Sequence, residues 1–95
     1  MRAALIKHDK VTDELGNTVE IKLWKISPTP DKPQGYKYSL VYIVVGERVI
    51  GYDNSEQKGD HCHYGTREES YAFSTLQQLA DDFMDDVKRF KRSVS

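Results

Sequence analysis

Residues 36–54, YKYSLVYIVVGERVIGYDN, constrain the fold more than any other stretch. β-Branched and aromatic residues crowd both sides of Gly46, which is the composition of two strands joined by a tight turn. Glycine at the first turn position suits a two-residue type II′ hairpin, so Gly46-Glu47 is expected to turn. Val45 then faces Arg48, Ile43 faces Ile50 and Val41 faces Tyr52 on one side. Tyr38, Leu40, Tyr42, Val44 and Val49 share the other. Both faces are apolar on that register, which predicts cover on each: a helix on one face and a partner on the other.

The helix is the last segment. Ser74 followed by Gln77 reads as a capping box, and Leu76, Leu79, Ala80, Phe83, Met84, Val87 and Phe90 recur at helical spacing. Asp81, Asp82, Asp85 and Asp86 precede Lys88, Arg89, Lys91 and Arg92, the order that the helix dipole favours. Both charge runs therefore read as a solvated helix face. Upstream, ALIKHDKV and TVEIKLWKI flank the turn-forming TDELGN and read as an opening hairpin, with Val19, Ile21 and Leu23 alternating against Glu20, Lys22 and Trp24. The segment SPTPDKPQG holds all three prolines and reads as an exposed loop. Residues 61–64 and 71–73 read as edge strands or extended loop. The expected fold is α+β, an antiparallel sheet of four to five strands packed against one C-terminal helix, in a single domain over residues 1–95.

With 14 basic and 15 acidic side chains the chain lacks the overall positive charge of many nucleic-acid binders, so any such surface must be local. One cysteine cannot close an intramolecular disulfide, and MRAALIKHDK has no signal-peptide core. No stretch approaches the roughly 20 apolar residues of a membrane span. A cytoplasmic location is the expectation.

Chemistry concentrates in DNSEQKGDHCHYGTREES, residues 53–70. If HCHY is extended, His61 and His63 project to one face and Cys62 and Tyr64 to the other. That separation disfavours Cys62 as a nucleophile or as a co-ligand of the histidines and leaves it as a small buried side chain. Two imidazoles on one face can act as general base and general acid, with Asp60 orienting one ring. Lys58 and Arg67 are candidates to meet phosphate charge, and Tyr52 and Tyr64 to stack on bases. Alternatively His61, His63 and Asp53 or Asp60 hold a divalent ion, or the stretch is only a polar turn between Gly59 and Gly65. Whether His8 or Lys7 reaches the site is open.

The run GYDNSEQKGDHCHYGTREESYAF resembles the signature of the TumE family of toxin–antitoxin toxins, with further likeness in VEIKLWKISP, the central hairpin and STLQQLADDFMDDV. The matching residues are Tyr52, Asp53, Asn54, Lys58, Gly59, Asp60, His61, His63, Tyr64 and Gly65. The family pattern carries a basic residue between the two histidines, where this chain has Cys62; Lys58 or Arg67 must then take its place. The resemblance implies a small toxin neutralised by a co-encoded antitoxin, a DNA-binding protein of helix-turn-helix or winged-helix type.

The leading functional expectation is a metal-independent endoribonuclease with no cofactor. His61, His63 and Asp60 are its catalytic residues, and Lys58, Arg67, Tyr52, Tyr64, Asp53 and Asn54 bind RNA. The alternatives are a non-catalytic interaction domain, which allows a homodimer, and a metal-dependent nuclease or nucleotidyltransferase.

Overall fold

The computed structural model describes residues 3–30, 32–54 and 59–94. Six strands, β1 (Ala4–Thr12), β2 (Thr18–Lys25), β3 (Tyr36–Val44), β4 (Glu47–Asp53), β5 (His61–Tyr64) and β6 (Arg67–Ser70), precede one helix, α1 (Leu76–Val94). Each strand pairs antiparallel with the next in a simple meander. The α+β architecture stands, with more strands than the four or five expected. The additional one is β6, whose sequence REES is exposed at every position and has no apolar alternation to announce it. Residues 71–73 are not strand.

The register of the central hairpin differs from expectation. Val44 pairs with Glu47, Tyr42 with Ile50 and Leu40 with Tyr52, so Val45-Gly46 rather than Gly46-Glu47 forms the turn. Both turn residues have positive φ, 51° and 77°, the pattern of a type I′ turn whose twist matches the flanking strands. Between the pairs Tyr42–Ile50 and Ile43–Arg48, β4 carries one extra residue, Val49, as a bulge. The consequence is a re-sorting of faces. Ile50 and Tyr52 join Tyr38, Leu40 and Tyr42 in one buried layer. The opposite face keeps Ser39, Val41, Ile43, Gly51 and Asp53, so its apolar share in the central hairpin narrows from the five residues expected to Val41 and Ile43.

Leu79, Phe83 and Val87 of α1 press on the aromatic layer, with Tyr52 meeting Phe83 edge-on at 6.0 Å and Tyr42 meeting Phe90 at 5.7 Å. Polar bonds pin the same contact. Asp86 is buried and accepts from the hydroxyls of Tyr52 and, at 2.7 Å, Tyr64. Arg89 Nη1 lies 3.2 Å from its other oxygen. Asp86 thus belongs to the interior and not to a solvated acidic face. Burial, reinforced by Asp86, pushes the Tyr52 hydroxyl far above the usual phenol range. The helix start also moves by one residue: Thr75 Oγ1 accepts from the Gln78 amide at 3.0 Å, so the cap is Thr75 and not Ser74.

Asp13 closes the first hairpin. Its carboxylate accepts from the Leu15 and Asn17 amides, each at 2.9 Å, and from the Tyr42 hydroxyl at 2.5 Å, with Lys91 Nζ at 3.4 Å. Turn, sheet and helix meet at one carboxylate.

Two outcomes follow from these local arrangements. A β-branched residue at positive φ is strained, so Val45→Asn should stabilise the fold by about 1 kcal/mol in urea denaturation, the scale of the left-handed penalty for such a side chain. An unchanged midpoint would contradict a strained turn. The Tyr42 hydrogen bond holds the Asp13 carboxyl below its ordinary value of 3.8. A depressed acid stabilises the fold above that value and loses its contribution as pH falls through the lower, folded one. The stability difference between wild type and Asp13→Asn should therefore be full at neutral pH and shrink below about pH 4. A difference that is constant with pH would show that the carboxylate charge plays no part.

Candidate active site

The site lies on the sheet face that α1 leaves uncovered. In an antiparallel sheet, directly paired residues share a face. One row across the strands runs His8, Lys22, Ser39, Asp53, His61 and Ser70; the next runs Lys10, Glu20, Val41, Gly51, His63 and Glu68. Alternation in β5 places His61 and His63 together here, and the β4–β5 register sets Asp53 against His61.

The two rings converge, with centroids 4.8 Å apart and planes at 79°. His61 Nε2 lies 2.9 Å from Asp53 Oδ1, and His63 Nε2 lies 3.5 Å from Asp53 Oδ2. On the outer side His61 Nδ1 is 3.0 Å from the Gly59 carbonyl oxygen and His63 Nδ1 is 3.8 Å from Glu68 Oε2. The rings differ in access: the His61 side chain is 4% exposed and that of His63 14%. Burial holds the His63 imidazole below its ordinary pKa, assisted by the nearby Arg48 charge.

Arg48 completes the arrangement. Strict alternation would turn it to the helix side with Ile50 and Tyr52, but the Val49 bulge reverses the phase and brings it opposite Ile43 on the site face. Its side chain then lies over Gly51, where a β-carbon would meet Arg48 Cδ at 2.9 Å. The guanidinium reaches to 4.0 Å from Asp53 Oδ2. A glycine inside a strand was the available signal for this close approach. Glu68 was equally silent in the sequence, because β6 itself was.

The other expected site residues are placed apart from this cluster. Tyr52 and Tyr64 lie on the helix side with their hydroxyls on Asp86, which removes them as stacking surfaces beside the histidines. Arg67 is on that side too, paired with Glu69 at 2.6 Å and lying over the Tyr64 ring. Asp60 accepts from the Tyr38 hydroxyl at 2.7 Å and the Gln34 amide at 3.2 Å, so Asp53, and not Asp60, is the carboxylate that meets the rings. Asn54 is fully buried, accepting from the Tyr38 amide and donating to the Tyr36 carbonyl. Lys58 lies outside the described residues. Cys62 faces the core, where burial pushes its thiol up. His8 Nε2 donates to the Glu20 carboxylate at 2.9 Å, and Lys7 pairs with Asp9 at 3.2 Å.

Fold and site together define a small α+β protein with a His-His-Asp centre on a sheet face. A family model for Toxin TumE matches residues 3–91, and the chain belongs to that family. It is a toxin of a toxin–antitoxin system, and an antitoxin is its partner. No curated protein and no solved structure gives a significant match. Among the described residues no helix is long and apolar enough to cross a membrane.

The Gly51 contact has a direct test. Because the atom in the way belongs to a flexible side chain, Gly51→Ala should leave stability within about 1 kcal/mol of wild type while displacing Arg48. Its toxicity should then fall to that of Arg48→Ala. A fully toxic Gly51→Ala beside an inactive Arg48→Ala would show that the glycine does not set the arginine's position.

Proposed function

We propose that this toxin cleaves RNA at the Asp53, His61 and His63 centre, with Arg48 meeting the phosphate. The observation that supports this reading is the convergence of two imidazoles on one carboxylate beside a guanidinium, on a face that no helix covers. Cleavage of a phosphodiester needs a proton moved at the attacking or leaving oxygen and positive charge facing the phosphorane. In cleavage by the neighbouring ribose, the 2′-oxygen loses its proton and bonds to phosphorus. The bond to the 5′-oxygen breaks and that oxygen takes up a proton, leaving 2′,3′-cyclic phosphate and 5′-hydroxyl ends.

In this reading the two histidines do not share the proton transfers equally. An acid/base pair needs both rings open to substrate, yet His61 is closed in. His63 is the ring that can approach RNA, and Asp53 and His61 stand behind it. Lys22 on the same face, and Lys37 lying 5.3 Å from the Trp24 ring, supply local positive charge that the overall balance conceals. The antitoxin is proposed to be a DNA-binding helix-turn-helix protein on the family resemblance alone.

Expression of wild type, His63→Ala and Asp53→Asn in a bacterial host, followed by sequencing of RNA ends, tests the reading. New ends should appear with wild type, and purified His63→Ala should cleave more slowly by roughly 10²–10⁴-fold. Absence of new ends with a toxic wild type, or full cleavage by a folded His63→Ala, would rule it out.

A further inference from the structure

We infer that Asp53, His61 and His63 hold a first-row divalent cation, of the zinc, iron or manganese kind, with its open side toward the uncovered sheet face. The inference keeps the centre of the proposed function but makes His63 a ligand and not the proton carrier; any role of the ion on RNA rests on that reading, and the binding itself rests on the geometry.

The first argument is the state of His61. The Gly59 carbonyl can only accept, so the Nδ1 atom 3.0 Å from it carries the proton, and a neutral ring has its lone pair on Nε2. That nitrogen is buried and has no hydrogen-bond partner among the described residues, although Asp53 Oδ1 is 2.9 Å away. The separation is an ion-pair distance without the alignment of a hydrogen bond. A lone pair held against a carboxylate is repulsive, and a buried polar atom left in that position calls for an explanation. A cation between the two groups converts the repulsion into coordination.

The second argument is the surrounding shell. Metal-bound histidines characteristically give their other ring N–H to a carbonyl or carboxylate, which fixes the tautomer and the ring orientation. His61 follows this pattern, with Nε2 toward Asp53 and Nδ1 on the Gly59 carbonyl; His63 is turned the same way, Nε2 toward Asp53 and Nδ1 toward Glu68, with the carboxylate 3.8 Å off and so beyond direct hydrogen-bond reach. One ligand atom from each of the three residues lies within 4.8 Å of the others. Bonds of about 2.0–2.2 Å to a central ion require only a modest inward movement of such a set. Two imidazoles and one carboxylate suit zinc and its neighbours better than calcium or magnesium, which prefer oxygen. Three protein ligands leave positions for water and for a phosphate oxygen. Arg48, 4.0 Å from Asp53, partly balances the carboxylate without the ion and is free to turn to phosphate with it.

The chief competitor is a protonated His61 paired with Asp53, in which no ion is needed. Calorimetric titration of the chelator-treated chain, purified without an affinity tag, with Zn²⁺ separates the two, with the visible spectrum of the Co²⁺ form as a second readout. The expected result is one ion per chain. Affinity should drop more than about 100-fold in His63→Ala and Asp53→Asn, and roughly 10-fold in Glu68→Gln. It should stay unchanged in His8→Ala, with folding checked by circular dichroism in each case. No binding by wild type, or equal binding by folded His63→Ala and Asp53→Asn, overturns the inference. RNA cleavage by a wild type that binds no ion overturns it while leaving the proposed function standing; an ion bound as expected by a protein that leaves no new RNA ends does the reverse.

Discussion

The pairing of β3 with β4 is the constraint on which both halves of the molecule depend. A strand's side chains alternate between faces, so a slip of one residue or a single bulge exchanges what a strand gives to the core for what it gives to solvent. Here the Val45-Gly46 turn sets the register that unites Tyr38, Leu40, Tyr42, Ile50 and Tyr52 beneath α1. The Val49 bulge then returns Arg48 to the opposite face beside Asp53. Core and site are two consequences of one pairing.

The two faces divide the ionisable groups by the same rule. On the helix side, carboxylates meet tyrosines: Asp86 with Tyr52 and Tyr64, Asp82 with Tyr71, Asp60 with Tyr38. Hydrogen-bonded in this way, buried polar atoms avoid the cost of desolvation and fix the helix over the sheet. On the open side, the carboxylate of Asp53 meets imidazoles instead, and one imidazole nitrogen has no hydrogen-bond partner among the described residues. Where the first set satisfies its groups internally, the second leaves coordinating capacity unused.

Several features were legible in the chain because they follow from local period. Alternation in HCHY separated His61 and His63 from Cys62, and the four-residue spacing of Leu79, Phe83 and Val87 marked the packed face of α1. Features that depend on pairing were not legible. The prominence of Asp53 over Asp60 requires the β4–β5 register, since both precede the histidines in sequence and Asp60 is the nearer. Arg48 required a bulge, and Asp86 looked solvated because a run of acids gives no hint that two tyrosine hydroxyls face one of them.

By itself, the sequence determined the fold class, the terminal helix and the family, because hydrophobic period and a distinctive K-G-D-H-x-H-x-G string are properties of a few adjacent residues. Tertiary structure alone decided which groups share a site. Arg48, Asp53, His63 and Glu68 come from three strands, and only the register of hydrogen-bonded backbones brings them to one place on one face.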